Sequence, residues 1–167
     1  MTALVLAAHG SVDPRSPATA HAVADQVRKL RSNLDVRLGF CERSQPNLTE
    51  VVPDNAVVAP LLLADSYHAR VDIPGLIAAS GAQNVRQADV LGEDPRLLTL
   101  LRDRLGSVGV STHDRSVGVL VVAVGSSSDI VNTRTRALAS ATATGTAWAG
   151  AVTAFATGPR PTLDEAA

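Results

Sequence analysis

Two histidines and one glutamate stand close to the ends of three predicted strands. His9 follows a continuous apolar run, Glu42 comes just after a second predicted strand, and His68 follows a third by a few residues. In a parallel sheet the carboxyl ends of the strands open on one edge, where α/β proteins bind ligands. Two imidazoles and a carboxylate that meet there can hold a borderline divalent metal ion and accept protons. The spacing therefore predicts a site for metal and proton chemistry.

Each of these residues, taken alone, also has an ordinary structural explanation. A glycine permits a tight turn, so the His9-Gly10 pair is compatible with turn formation alone. A glutamate at a strand end is usually solvated, and His68 in its loop is more often a loop residue than a ligand. Cys41 alternates with Glu42, so its side chain is predicted to point to the opposite face and to pack there.

Short apolar strands alternate with helices along the first part of the chain. The alternation indicates βαβ units, and we expect a three-layer α/β/α, Rossmann-like unit with a mostly parallel sheet. Ser16 is predicted to cap the first helix, because serine before proline is a typical helix start. The predicted strands are 3–8, 35–41, 56–63 and 85–90, and the predicted helices are 17–31, 46–52, 73–80 and one opening at Asp94-Pro95.

The pattern restarts after a stretch rich in Gly and Ser. Residues 4–14 resemble 120–130, and residues 39–52 resemble 154–167, at nearly the same offset. We interpret this as a tandem repeat of one α/β unit, with the second copy truncated. The predicted organisation is a domain at 1–106 that carries the site, a linker at 107–116, and a partial second repeat at 117–167.

The second repeat lacks the polar residues of the first. In the sequence alignment Gly125 takes the place of His9, and Thr157 takes the place of Glu42. The apolar frame around both positions is kept. The fold therefore does not need these polar groups, which favours a functional role for them in the first repeat.

Composition excludes several classes of protein. The net charge of −1 gives no basic surface of the kind that nucleic acid requires. One cysteine cannot form an internal disulfide, which fits a reducing compartment. The first apolar run has no basic flank and is too short for a signal peptide or a membrane span. We therefore expect a cytoplasmic protein with no nucleic-acid or membrane partner.

The motifs, in their order along the chain, resemble those of the sirohydrochlorin chelatases. This resemblance covers about residues 1–105 well and 117–167 weakly. It implies the class II chelatase fold and a lyase that inserts cobalt or iron into sirohydrochlorin, toward cobalamin or siroheme. The matching residues are His9-Gly10-Ser11 with Asp13-Pro14, Leu38-Gly39-Phe40 with Glu42, Pro46-Asn47-Leu48, Ala59-Pro60, and His68 with Asp72-Ile73-Pro74.

The resemblance also implies roles for individual residues. His9, Glu42 and His68 become the expected catalytic residues and the expected handlers of the metal ion, which is cobalt, iron or nickel and a substrate. No organic cofactor is implied. The family often has a basic residue where Val12 stands, so Arg15 is the expected replacement.

The expected partners are a tetrapyrrole and the metal ion. Arginines near one rim suit a ligand with many carboxylates, although a loop arginine alone is usually solvated. Because one-domain chains of the family pair, a homodimer is one expected assembly. The residues predicted to contact the substrate are Ser11, Arg15, Arg43 and Arg70.

Three alternatives remain open at this stage. A non-catalytic carrier of metal or tetrapyrrole would use the same residues. A phosphoryl-transfer enzyme is disfavoured, because Ala8 stands where an arginine normally precedes the histidine and no P-loop is present. The third alternative is an inactive fragment, since the second repeat stops at Ala167.

Overall fold

The computed structural model describes residues 3–92 and 94–166, and the chain divides into two compact units. The first unit, Met1–Gly92, contains a four-stranded parallel sheet in the order β2-β1-β3-β4. Its elements are β1 (Ala3–Ala8), α1 (Arg15–Leu30), β2 (Asp35–Phe40), α2 (Leu48–Val51), β3 (Val57–Pro60), a π-helical turn (His68–Asp72), α3 (Ile73–Ala79) and β4 (Arg86–Gln87).

The first sheet is covered on both faces by apolar side chains. On one face Leu6 and Phe40 pack with Ala24 of α1, and on the other face Val5 packs with Leu48 and Ile73. The core is aliphatic because the chain has only 2% aromatic residues. The predicted α/β/α layering with a parallel sheet is confirmed for this unit.

The second unit, Glu93–Ala167, has a smaller sheet in its described residues. Strands β5 and β6 pair in parallel over six residue pairs. Phe155 at the end of β6 is buried, as Phe40 is at the end of β2. The elements are α4 (Pro95–Ser107), β5 (Gly118–Ala123), α5 (Asp129–Ala143), β6 (Gly150–Phe155) and α6 (Leu163–Ala166).

Several element bounds differ from the sequence prediction, and among them β3 (Val57–Pro60) and α2 (Leu48–Val51) are shorter than the predicted 56–63 and 46–52. The first helix begins at Arg15 and not at Pro17 after a Ser16 cap, because the Asp13 carboxylate accepts the N–H of Arg15 at 3.0 Å. Strand β4 is two residues long, where six were expected. Its ladder ends because β3 stops at Pro60, which has no N–H to donate to the next carbonyl.

Helix α4 belongs to the second unit by its contacts. Arg102 donates hydrogen bonds to the Thr142, Ala141 and Thr144 carbonyls at the end of α5, at 2.8, 3.0 and 2.8 Å. The compact units therefore divide after Gly92, before the predicted boundary at 106. The predicted domain and linker ranges stay a prediction. In the residues described, we find no helix with the length and apolar character to span a bilayer.

Candidate functional site

The three predicted site residues lie at one edge of the first sheet. Strand β1 is flanked by β2 and β3, all parallel, so their carboxyl ends are neighbours. His9 is the first residue after β1, Glu42 is the second after β2, and His68 opens the π-helical turn. Between β1 and β3 the strand order reverses, which is where open α/β sheets bind ligands.

Gly10 lets the loops after β1 and β2 touch. Its φ is +93°, and a Cβ there would lie 1.8 Å from the Glu42 carbonyl oxygen. The Glu42 N–H donates to the His9 carbonyl at 3.0 Å. A side chain at residue 10 would force these backbones apart, so the glycine holds His9 beside Glu42.

The two histidine rings face each other through the same nitrogen. The Nε2 atoms of His9 and His68 are 3.1 Å apart. The ring centroids are 4.2 Å apart and the planes meet at 81°, an edge-to-face arrangement. Both side chains are partly exposed, 37% for His9 and 41% for His68, so the pair is open to solvent and to a ligand.

The other nitrogen of each ring is held by an acceptor. His9 Nδ1 lies 2.8 Å from the Gly10 carbonyl oxygen, and His68 Nδ1 lies 2.5 Å from Asp72 Oδ2. A carbonyl or carboxylate can only accept, so in the neutral rings both protons sit on Nδ1. Both Nε2 lone pairs then point into one 3.1 Å gap, an arrangement that a shared cation would stabilise.

Sequence reasoning did not assign Asp72 to the site. It appeared only within the Asp72-Ile73-Pro74 motif. Its position four residues after His68 was the available signal, because residues i and i+4 of a helix are neighbours on one face.

Glu42 joins the histidine pair at its edge. Its Oε1 lies 3.5 Å from His9 Nε2 and accepts from Arg43 Nε at 3.0 Å. No group of three or more His, Cys, Asp or Glu side chains is arranged to hold a metal ion in the described ranges 3–92 and 94–166. The structure thus brings the two imidazole rings into direct contact. A role for Glu42 as a third metal ligand stays a prediction.

The second unit builds the same loop with other side chains. The Thr157 N–H donates to the Val124 carbonyl at 3.0 Å, as the Glu42 N–H does to that of His9. Gly125 has φ +100°, and a Cβ there would lie 2.3 Å from the Thr157 carbonyl oxygen, so it matches Gly10.

The counterpart of His9 is therefore Val124. The sequence alignment with Gly125 was wrong by one residue, because it matched leucines and not strand ends. The two copies are offset by 115 positions throughout this loop, as Phe40 and Phe155 are. Tandem origin stays a prediction.

Arg43 has an unusual backbone conformation. Its φ is +58°, in the left-handed region, which costs a residue with a Cβ about 1–2 kcal/mol. The corresponding residue of the second unit is Gly158, with φ +74°. Strain of this kind concentrates at functional sites. The side chain of Arg43 forms the ion pair with Glu42, so the strained residue contacts the predicted site.

The other predicted substrate contacts have partners of their own. The Ser11 hydroxyl accepts the Asp13 N–H at 3.1 Å. Arg15 pairs with Asp13 at 2.5 Å, and Arg70 pairs with Asp65 at 2.6 Å. Arg43 is the predicted contact that directly touches the three-residue site. Substrate binding by these residues stays a prediction.

Cys41 is a packing residue, as expected. Its side chain packs against the apolar cluster around Val5 and Ile73. Burial raises the pKa of the thiol to about 11, and the nearby carboxylates of Asp72 and Glu42 add to the effect. The thiol therefore stays protonated at neutral pH and offers no thiolate to a metal ion.

Known proteins share this sequence pattern and fold. A family model described as CbiX matches residues 3–108. A sirohydrochlorin cobaltochelatase of Methanopyrus kandleri is 26% identical over 136 residues, covering 63% of this chain and 95% of that protein. A sirohydrochlorin ferrochelatase of Priestia megaterium is 27% identical over 180 residues, covering 99% of this chain and 66% of that protein.

A solved structure extends the likeness to the whole chain. SirB from Bacillus subtilis with Fe3+ matches at a TM-score of 0.86 and 20% identity, covering 99% of this chain and 70% of that one. At this identity the match concerns the fold alone. The predicted chelatase-like α/β fold is confirmed.

Proposed function

This chain belongs to the CbiX family, and on that premise we propose that it is a sirohydrochlorin chelatase, a lyase that inserts Co2+ or Fe2+ into the tetrapyrrole. The observation that carries the proposal is the pair of facing Nε2 atoms of His9 and His68, 3.1 Å apart. Each ring has its Nδ1 engaged by an acceptor, so both lone pairs are free for a cation.

The spacing of the pair suits delivery of a metal ion. Metal–imidazole bonds are about 2.0–2.1 Å long, so two such nitrogens at a tetrahedral angle lie roughly 3.3 Å apart. The observed separation needs only slight opening to reach that geometry. Two protein ligands leave the remaining coordination positions to the nitrogens of the macrocycle. Such an open site can release the ion, whereas a closed four-ligand site would retain it.

Insertion also requires two proton acceptors. The free tetrapyrrole loses two pyrrole protons when it takes the divalent ion, so net charge is conserved. A lone pair that has released the metal ion can accept a proton, and His9 and His68 each supply one. The Glu42 carboxylate, 3.5 Å from His9 Nε2, is a further acceptor and balances the charge of the incoming ion. This scheme uses no organic cofactor and no nucleotide.

Arg43 is the arginine best placed to meet a substrate carboxylate. Its Nε bonds to Glu42, and its side chain is 57% exposed. Arg15 and Arg70 would need to leave Asp13 and Asp65, or to share them, to do the same. We therefore propose Arg43 as the main substrate contact, with Ser11, Arg15 and Arg70 as secondary contacts. We also propose that the protein is located in the cytoplasm.

The test is a direct assay of insertion. The protein is mixed with sirohydrochlorin and Co2+, Fe2+ or Ni2+ under anaerobic conditions without ATP, and absorbance is followed. We expect insertion well above the protein-free rate with at least one metal, and the rank of the three rates identifies the preferred ion. Binding of one equivalent without turnover would instead favour a carrier, and an unchanged rate with every metal would contradict the chelatase proposal.

A further inference from the structure

We infer that Asp72 is a positioning residue for the metal-handling histidine pair, acting through His68. The inference rests on the proposed function and assigns a role that motif matching alone did not. Asp72 Oδ2 lies 2.5 Å from His68 Nδ1, and both side chains are partly exposed, 35% and 41%. A hydrogen bond of this length to a carboxylate is charge-assisted and strongly directional.

The π-helical turn sets this contact. The turn spans His68–Asp72, and the Ile73 N–H donates to the His68 carbonyl, five residues back. Ala69 and Ile73, four residues apart, are buried in the core. Their burial places the adjacent pair, His68 and Asp72, together at the edge of the sheet. Single π turns within helices are often found at functional sites.

The hydrogen bond decides which nitrogen of His68 carries the proton. An unconstrained neutral imidazole of histidine favours the proton on Nε2. In that tautomer His68 would direct an N–H at His9, and its Nε2 would offer no lone pair to a metal ion. On the other side of the ring, Asp72 accepts a hydrogen bond from Nδ1–H of His68, so it selects the Nδ1–H tautomer. His9 obtains the same form from the Gly10 carbonyl.

The direct test is the tautomer of His68 in the metal-free protein. Nitrogen-15 NMR of histidine-labelled full chain, at about pH 8.5, reports which ring nitrogen is protonated when imidazoles are neutral. We expect Nδ1–H for His68 in the wild type and a shift toward Nε2–H in Asp72→Ala. Asp72→Asn should keep part of the Nδ1–H population, because its amide oxygen still accepts.

Turnover provides the second readout. Loss of a carboxylate behind a metal-binding histidine typically costs about 10–100-fold in metal affinity or activity. We expect that loss in kcat and in the apparent affinity for the metal ion, with KM for sirohydrochlorin little changed. Asp35→Asn is the matched control, since Asp35 pairs with Arg37 on β2. Its turnover and the His68 tautomer should equal those of the wild type.

The outcomes separate this inference from the proposed function. If the wild type inserts no metal, the function fails, while the tautomer experiment still decides what Asp72 does to His68. If His68 keeps the Nδ1–H form in Asp72→Ala, Asp72 does not position it, and the inference is wrong. Should Asp72→Ala unfold, Asp72→Leu replaces it, because leucine fills a similar volume and accepts no hydrogen bond, and a wild-type tautomer and kcat in that variant would equally overturn the role.

Discussion

The same loop backbone forms in both units, and in the first unit it carries two of the predicted site residues. Glycines at 10 and 125 meet the carbonyls of Glu42 and Thr157 in the same way, and the same backbone hydrogen bonds close both loops. The first unit places His9 and Glu42 on this frame, whereas the second places Val124 and Thr157. Because the frame forms without the polar groups, they are not needed to fold it.

The units also differ in what covers their apolar strands. Val5 and Ala7 of β1 are fully buried, whereas Leu120 and Val122, the corresponding residues of β5, are 39% and 55% exposed. In the first unit β3 pairs with β1, and the chain continues into the π-helical turn. That same segment carries His68. The segment that adds β3 to the sheet therefore also supplies His68 to the histidine pair.

The largest effect on turnover is expected when site residues of the first unit are replaced by the corresponding residues of the second. His9→Val and Glu42→Thr should each leave the melting temperature close to that of the wild type. His9→Val should lower turnover by about 10²-fold or more, because a proton acceptor of this kind contributes about 10²–10⁴-fold. Metal insertion and thermal melting are measured on the same samples.

The reciprocal change is the control. Val124→His should add no activity, since the described part of the second unit has no counterpart of His68, and its own histidine, His113, precedes β5. If His9→Val melts far below the wild type, His9 serves the fold, and if the variant keeps wild-type turnover, His9 does not carry the chemistry.

The next largest effect concerns the glycine that both loops share. Gly10→Ala and Gly125→Ala should each destabilise the protein by at least about 2 kcal/mol, because the new Cβ meets a backbone oxygen and φ is positive. Urea unfolding measures the change. A Cβ added at Gly75 in α3 would meet nothing within 4 Å, so Gly75→Ala should stabilise by about 0.5–1 kcal/mol. Equal behaviour of Gly10→Ala and Gly75→Ala would contradict the close approach.

Sequence patterns predicted the parts of this site that depend on strand order. The apolar run Ala3–Ala8 marked β1 to the residue, and parallel strands brought His9, Glu42 and His68 to one edge. The positive φ of Arg43 was not visible, because that conformation follows from the loop and not from the residue type. The true counterpart of His9 was missed because side-chain identity shifted the alignment by one. The correct alignment follows from the pairing of the strand backbones, which a match of residue types does not show.

A third test sharpens the contrast between the strand edges. Within residues 94–166, β5 pairs with β6 alone, whereas β1 has a partner on each side. Amides of β5 on its free edge, at Leu120 and Val122, should exchange with deuterium much faster than those of Val5 and Ala7. Light scattering at several concentrations shows whether an open edge recruits a second copy. Equal protection in a clean monomer would show that the two strands are equally covered.

A smaller effect is expected at the strained arginine. Arg43→Gly gives the first unit the residue that the second has at Gly158 and removes a backbone cost of about 1–2 kcal/mol. Extra freedom of glycine in the unfolded chain offsets about half of that gain, so melting should be equal to or slightly above the wild type. Turnover should fall several-fold through KM for sirohydrochlorin. Arg43→Lys keeps the charge and the strain, and unchanged KM in both variants would exclude a substrate contact.

The smallest effect concerns a carboxylate that opens a helix in each unit. Asp13 before α1 and Asp94 before α4 each accept the backbone N–H and the guanidinium of the arginine two residues on. The side chain of Arg96, followed by its backbone N–H, lowers the pKa of Asp94 from 3.8 to about 2. A carboxyl group whose pKa is lower in the folded state stabilises the protein above its unfolded pKa. That stabilisation is lost as the pH falls from about 3.8 through about 2.

Asp94→Asn isolates this charge, because asparagine is an equally good helix cap. Melting followed by circular dichroism should show the variant slightly below the wild type at pH 5–7, and the difference should close between about pH 4 and pH 2. Asp13→Asn should behave in the same direction, since the pKa of Asp13 is also lowered by its arginine. Both carboxylates are partly exposed and screened by solvent, so the shifts should be small and should shrink further in high salt. A difference that persists unchanged at pH 2 would assign the effect to shape and not to charge. An effect at one helix and none at the other would show that the shared Asp-Pro-Arg start serves the two units differently.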